Sequence, residues 1–153
     1  MSVRAVRPDD SKLLWTWRND PVVRQHSLNS APIPWSDHEA WFARTLGSPD
    51  ALLYILEEPP AGPVAQIRYT RVGAALAEVH VAVAPAMRGR GYGSAILRQT
   101  RDLACTQLGV TAVEAHVIKT NPASVQLFRS AGFELDGDVL KSGQECIRFI
   151  WKA

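Results

Sequence analysis

The stretch that decides the fold is Met87-Arg88-Gly89-Arg90-Gly91-Tyr92-Gly93-Ser94-Ala95-Ile96, or MRGRGYGSAI. Glycine recurs there at every second position, with arginines between and before, and an apolar run follows. Ahead of it, Leu76–Val83 reads as a strand closed by Pro85. Behind it, Ile96, Leu97, Leu103, Ala104 and Leu108 recur on one side of a helix that stops at Gly109. A loop that leaves a strand and opens a helix presents unpaired N–H groups beside the positive helix end, which suits an anion. Glycine permits positive φ and close approach of the backbone. Arg88 and Arg90 add charge-assisted contacts to phosphate oxygens. The loop is therefore matched to a phosphate, and best to a diphosphate.

Spacing narrows the choice. A triphosphate-binding P-loop requires a lysine after its last glycine, and none stands there. A dinucleotide fingerprint requires G-x-G-x-x-G, whereas the third glycine here arrives one place early. Glu114 does lie about twenty residues on, as that fingerprint wants, but the chain holds only one strand–helix–strand crossover. A glycine turn that only packs helix on sheet is the plain structural alternative.

Outward from the loop, the 153 residues suit one domain, 1–153, and a 46% hydrophobic composition suits a packed core. A net charge of +2 without a basic block gives no argument for nucleic acid. The N-terminus lacks an apolar signal core, and no apolar run is long enough to span a membrane. Cys105 and Cys146 lack ligand-like neighbours and read as reduced thiols of a cytoplasmic protein. The four histidines show no metal spacing, so no metal is expected.

Along the chain, Val3–Arg7 reads as a strand, and Pro8-Asp9-Asp10 opens a helix carrying Leu13, Leu14 and Trp17. Asn19-Asp20-Pro21 breaks it, and residues 22–35 read as irregular. Ser36 and Glu39 fit a capping box for a helix with Trp41, Phe42 and Leu46. Ala51–Leu56, Val64–Thr70 and Leu76–Val83 read as three meander strands, followed by the loop helix and a strand at Ala112–Val117. A helix capped at Asn121-Pro122 runs through Ala131 and stops at Gly132; Phe133–Val139 and Ile147–Trp151 are the last strands. This is an α+β domain.

The run Val81-Ala82-Val83-Ala84-Pro85-Ala86-Met87-Arg88-Gly89-Arg90-Gly91-Tyr92-Gly93 resembles motif A of the GCN5-related N-acetyltransferases (GNAT), whose diphosphate loop is R/Q-x-x-G-x-G/A; Arg88, Gly91 and Gly93 fill it in register. Asn121-Pro-Ala-Ser124-Val-Gln-Leu-Phe128-Arg-Ser-Ala-Gly132-Phe133 resembles motif B of the same family. The resemblance implies a mixed, mostly antiparallel sheet of six to seven strands, splayed in a V between the fourth and fifth, with about four flanking helices. It implies acetyl-CoA as cosubstrate. Backbone groups of Val81, Ala82 and Val83 would hold the pantetheine arm, amides from Arg88 through Gly89, Arg90, Gly91, Tyr92 and Gly93 to Ser94 the diphosphate, and Asn121, Ser124 and Phe128 the CoA side of the second helix.

The implied reaction is acyl transfer to a primary amine, which requires a base. Many relatives place a glutamate five residues before the motif B asparagine; here that residue is His116, whose imidazole is a credible substitute. Glu78 and His80, which share a face by the strand's period of two, are the next candidates. The family's tyrosine acid is replaced by Phe128, which cannot donate a proton. The N-terminal third, with its W-R-N-D-x-x-V-R run, resembles the enzymes that acetylate amino-sugar nucleotides of the pseudaminic-acid type and, more loosely, those of ribosomal-protein N-termini. Arg18, Arg24 and His38 are candidates to meet phosphates, and Trp15, Trp17, Trp35 or Trp41 to stack on a base or sugar; Trp17 and Trp41 also fall on apolar helical faces. The expected partner is a small-molecule amine, possessed of a nucleotide-linked sugar, for a monomer or homodimer. A protein N-terminus as acceptor, or a non-catalytic acetyl-CoA-binding module, are the alternatives.

Overall fold

The computed structural model describes all residues 1–153. Seven strands form one sheet in the order β1-β2-β3-β4-β5-β7-β6: β1 (Ser2–Ala5), β2 (Ala51–Glu58), β3 (Gly62–Arg71), β4 (Leu76–Val83), β5 (Ala112–Ile118), β6 (Glu134–Lys141) and β7 (Gln144–Lys152). Neighbours run antiparallel except β4 and β5, which are parallel. A parallel pair needs a crossover, and α4 (Tyr92–Leu108) supplies it.

Helix α4 packs on one face of the sheet. Its Ile96, Leu97, Ala104 and Leu108 meet Tyr54, Leu56, Ile67, Tyr69, Ala77 and Val79 in a core of 21 buried residues. Thr100, also buried, bonds Tyr69 Oη at 2.7 Å and its own helix at Ile96 O, so neither hydroxyl is stranded. Leu103 is exposed and takes no part in that stripe. α5 (Pro122–Ser130) adds Phe128 to the same core.

On the opposite face α1 (Ser11–Arg18) and α3 (Trp35–Leu46) cover β2. Leu14 and Phe42 pack there against Val6, Leu53 and Ile55 in a core of five. Arg4 anchors this corner by pairing with Asp10 at 2.7 Å, and Asp10 also accepts from the Arg7 amide. The Arg4 guanidinium holds the Asp10 carboxyl below the usual carboxylate range.

Two local expectations change. Residues 21–25 form a short helix, α2 (Pro21–Gln25), so the helices number five. Its cap is Asp20, which accepts from the Val22 and Val23 amides, with Pro21 in the first turn. Five residues are too few for hydrophobic periodicity to declare. The Ser36–Glu39 capping box does not form, because α3 starts at Trp35 with Pro34 as its cap residue. The sheet strands otherwise fall where alternation places them, extended by one to three residues at most ends. No helix is long and apolar enough to cross a membrane.

Candidate active site

β4 and β5 pair only over Leu76–Glu78 and Ala112–Glu114. Beyond Glu78, β4 stays bonded to β3 as far as Val83, and β5 stays bonded to β7 as far as Ile118. The facing edges of 79–83 and 115–118 thus diverge as the two arms of a V. An extended chain bearing amides can bond such an edge as a strand would. Val81, Ala82 and Val83, all half-buried, line one arm.

The glycine loop closes the same end, and its three glycines do different work. Gly89 and Gly91 have φ of +76° and +82°, and a Cβ on either would meet nothing within 4 Å. They are glycine for backbone conformation, beside open space. Gly91 is the N-cap of α4, and no side chain caps that end. The N–H groups of the first turn therefore remain for an anion. A Cβ at Gly93 would instead collide with Leu127 and press on Val83, so Gly93 is there for close packing of α4 on α5. Tyr92 and Ser94 are half-buried, and Arg90 is exposed. Arg88 is tied to Asp20 at 2.8 Å, linking the loop to the cap of α2; the pair holds Asp20 below its ordinary pKa. This cradle has the form of an anion site, and the V that of a slot for an extended, amide-bearing chain.

On α5, Asn121 caps the helix by accepting from the Ser124 amide, and its Nδ2 donates to Ser124 Oγ at 2.9 Å. Phe128 is buried, with its ring 5.2 Å from that of Phe133 and 6.1 Å from that of Phe149. Helical phase turns the Phe128 ring toward the core, where it packs on Phe133 and Phe149.

At the mouth of the V, on the face away from α4, lies a polar cluster. Glu78 Oε1 accepts from His80 Nε2 at 2.6 Å, and Glu78 Oε2 accepts from Lys141 Nζ at 3.1 Å. Lys141, from the β6–β7 hairpin, also reaches His116 Nδ1 at 3.0 Å and so spans the V from β4 to β5. Its ammonium has only donors, so His116 Nδ1 must be the acceptor. Glu114 and His116 stand further along β5, with Arg148 bonded to Glu114 at 2.7 Å and paired with Asp136. Glu78, Glu114 and His116 bring ligand-type atoms within 4.8 Å of one another, with the Lys141 ammonium among them.

Charge states follow from these contacts. The bond from His80, then the pair with Lys141, outweigh burial and hold Glu78 at a pKa of about 2. His80 is 51% exposed in its side chain, yet the partial desolvation it does suffer, with Arg68 and Lys141 nearby, lowers its pKa; the bond to Glu78 works the other way. A neutral imidazole must donate Nε2–H to that ionised carboxylate, which leaves a lone pair on Nδ1.

A cleft of about 400 Å³ adjoins the cluster between α3 and the sheet. Trp41, Arg44, Thr45 and Ser48 form one wall, and Arg68, Thr70, Glu78 and His80 the other. Arg68 and Thr70 stand opposite His80 and Glu78 on β3. The Arg68 guanidinium lies 5.0 Å from the Trp41 ring centroid, and that of Arg18 lies 4.0 Å from it.

Of the residues expected on the acceptor side, the structure brings Trp41 into the wall of this cleft and Arg18 against the Trp41 ring. His38 is fully buried, with Nε2 bonded to Ser11 O at 2.9 Å and Nδ1 to Arg18 at 3.0 Å; it joins α1 to α3 and cannot meet a phosphate. Trp17 is buried. Arg24 bonds the carbonyls of Asn19 and Ser30 and fastens the α2 loop. Arg68, Arg44 and Lys141 were not singled out in the sequence. For Arg68 a signal exists: Gln66, Arg68 and Thr70 alternate with buried Ala65, Ile67 and Tyr69, marking a polar strand face.

Residues 1–134 match the family described as acetyltransferase (GNAT) domain. No characterised protein sequence matches the chain closely enough to count as a relative. Among solved structures, spermidine N-acetyltransferase from Vibrio cholerae, in complex with CoA and spermine, superposes with a TM-score of 0.86 at 16% identity, over 99% of this chain and 94% of that one. The aminoglycoside acetyltransferase AAC(6')-Ib with coenzyme A and kanamycin gives a TM-score of 0.82 at 15% identity, over 99% and 94%. The same protein with paromomycin and acetyl-CoA gives 0.82 at 16%, over 99% and 92%.

Proposed function

Because the chain belongs to the acetyltransferase (GNAT) domain family, and is thus an acetyl-CoA-dependent N-acetyltransferase acting on an amine, we propose that its acceptor is the primary amine of a small amino-sugar nucleotide and that His80 is the base. The observation that carries the proposal is the position of His80: it stands on β4 two residues past the last rung to β5, where the V opens, and it also lines the cleft. Acetyl-CoA supplies the thioester carbonyl that the amine attacks. Val81, Ala82 and Val83 offer backbone groups to its arm, and the amides from Arg88 to Ser94 offer donors to its diphosphate.

His80 takes a proton from the amine through Nδ1. Glu78 is the positioning residue, since it fixes the ring's tautomer while its own pKa of about 2 makes it a poor base near neutrality. His116 is less free, because its Nδ1 lone pair is engaged by Lys141. A backbone N–H of the V, near Val81, stabilises charge developing on the carbonyl oxygen. A cleft of about 400 Å³ has room for a ligand of drug size, and Trp41 offers an apolar surface for a sugar or base.

The neighbours named for spermidine and aminoglycosides share this fold, and their named substrates are also amines. The test is a thiol-release assay with acetyl-CoA against amino-sugar nucleotides, spermidine, kanamycin and short peptides. Turnover with the sugar nucleotide above the rest supports the proposal, and preference for peptides or polyamines overturns the acceptor assignment. Tight acetyl-CoA binding without release for any amine would point to a sensing module instead.

A further inference from the structure

The cleft beside His80 carries an unbalanced charge. Arg68 leaves β3 as the cross-strand partner of His80, on the same face of the sheet. Directly opposed residues place their Cβ atoms about 5 Å apart. Its guanidinium rests near Trp41 and has neither a hydrogen bond nor an ion pair within the protein. Arg18 approaches the same ring, and its one side-chain partner is the buried ring of His38. Arg44 stands exposed in the wall of the cleft. The only carboxylate in that lining is Glu78, which is already shared between His80 and Lys141.

Two guanidiniums, those of Arg68 and Arg44, thus line one cleft with no free carboxylate beside them, and that of Arg18 lies against Trp41 in its wall. Arg68 is half-buried, and its pKa is pushed down to about 10 by desolvation first and by Arg18 second, against the pull of Glu78; an anion in the cleft would offset that cost. A single carboxylate would leave most of this charge unanswered, whereas a phosphate brings more than one negative charge and oxygens that suit a guanidinium fork.

We infer that the cleft between α3 and β3–β4 is a phosphate subsite of the acceptor, in which Arg68 is the principal partner and Arg44 the outer one, so that the enzyme selects amines that carry phosphate. The inference rests on the acetyltransferase role of the same site. It separates this chain from enzymes of polycationic amines, which Arg68, Arg18 and Arg44 would repel.

The test compares one amino sugar in three forms, free, as its 1-phosphate and as its UDP conjugate, with spermidine and an α-amino acid as further acceptors. The phosphorylated forms are expected to exceed the free sugar in kcat/KM by about tenfold or more, as for hydrogen bonds to charged groups. Arg68→Gln should remove about that whole advantage, chiefly through KM, and Arg44→Gln, at an exposed position, a smaller part of it. In parallel, calorimetry on the CoA-saturated protein, whose glycine loop is then filled, should detect UDP binding that weakens about tenfold in Arg68→Gln. Unchanged CoA affinity confirms that the variant is folded. Equal turnover of free and phosphorylated sugar, preference for spermidine or the amino acid, or UDP binding indifferent to Arg68 would each overturn the subsite while leaving acetyl transfer in place. UDP binding without turnover of any amine would overturn the proposed function and keep the subsite.

Discussion

The two faces of the sheet solve different problems. Under α4, side chains from five strands and two helices merge into one dry core, and the ligand-directed work at its end is done by backbone: positive-φ glycines, an uncapped helix end and an unpaired strand edge. Under α1 and α3 the core shrinks to a handful of residues, and the remaining surface carries side chains: Glu78, His80, Arg68 and Trp41. Backbone chemistry suits a cosubstrate whose diphosphate and amides never vary. Side-chain chemistry suits an acceptor that must be told from other amines, because unpaired buried polar groups reject the wrong partner strongly.

The largest expected effect that would sharpen this contrast is at Gly91. Gly91→Glu places a side chain at φ of +82° and a negative charge in the cradle; acetyl-CoA affinity measured by calorimetry should be lost, with circular dichroism unchanged. Retained affinity would remove the loop from cofactor binding. Next comes His80→Ala, expected to lower kcat by about 10²–10⁴ as a lost general base does, with acetyl-CoA affinity intact. His116→Ala should cost less, and the reverse order would transfer the role of base to β5.

A third comparison sets the two cores against each other. Leu97 and Leu14 are both fully buried. Truncation to alanine costs about 2–5 kcal/mol, depending on how far the surroundings collapse. Denaturant titration should place Leu97→Ala nearer the top of that range, because 21 residues hold its cavity open, and Leu14→Ala nearer the bottom. Equal values would mean that the faces are equally rigid.

The smallest effect is in the pH profile. His80 has its pKa lowered from 6.5, so the acidic limb of kcat/KM should fall below that value, and a limb above it would exclude a desolvated imidazole. Glu78→Gln removes the influence that raises His80, so the limb should move further to acid while kcat drops. Glu78 itself is held at about 2 against 4.5 in an unperturbed chain. Its stabilisation is complete above about pH 4.5 and fades as pH falls toward 2; acid unfolding of Glu78→Gln should lack that component.

The cofactor half was legible in the sequence because its signals are local. Gly89, Gly91 and Gly93 follow a strand and open a helix within seven residues, and Asn121 caps α5 three residues before Ser124. The V followed from family resemblance, and the register of β4 on β5 bears it out. The acceptor half was not legible, since it depends on pairs far apart in sequence. Lys141 meets Glu78 across 63 positions, and His38 is consumed by Ser11 across 27. Phe128 shows the opposite limit: its motif position was clear, but which way the helix turned it depended on Phe133 and Phe149.

The V also has a mechanical meaning. Strands β1–β4 and β5–β7 are held together across the middle of the sheet by three rungs, Leu76–Glu78 against Ala112–Glu114. The sheet is in effect two plates on a short hinge, wedged at the far side by Lys141. Whatever lies along both arms acts as the missing rungs and turns the hinge into a weld. Saturation with CoA should therefore raise the melting temperature through mass action on the folded state, and it should slow amide exchange most at those amides of residues 79–83 and 115–118 that point into the V, away from β3 and β7.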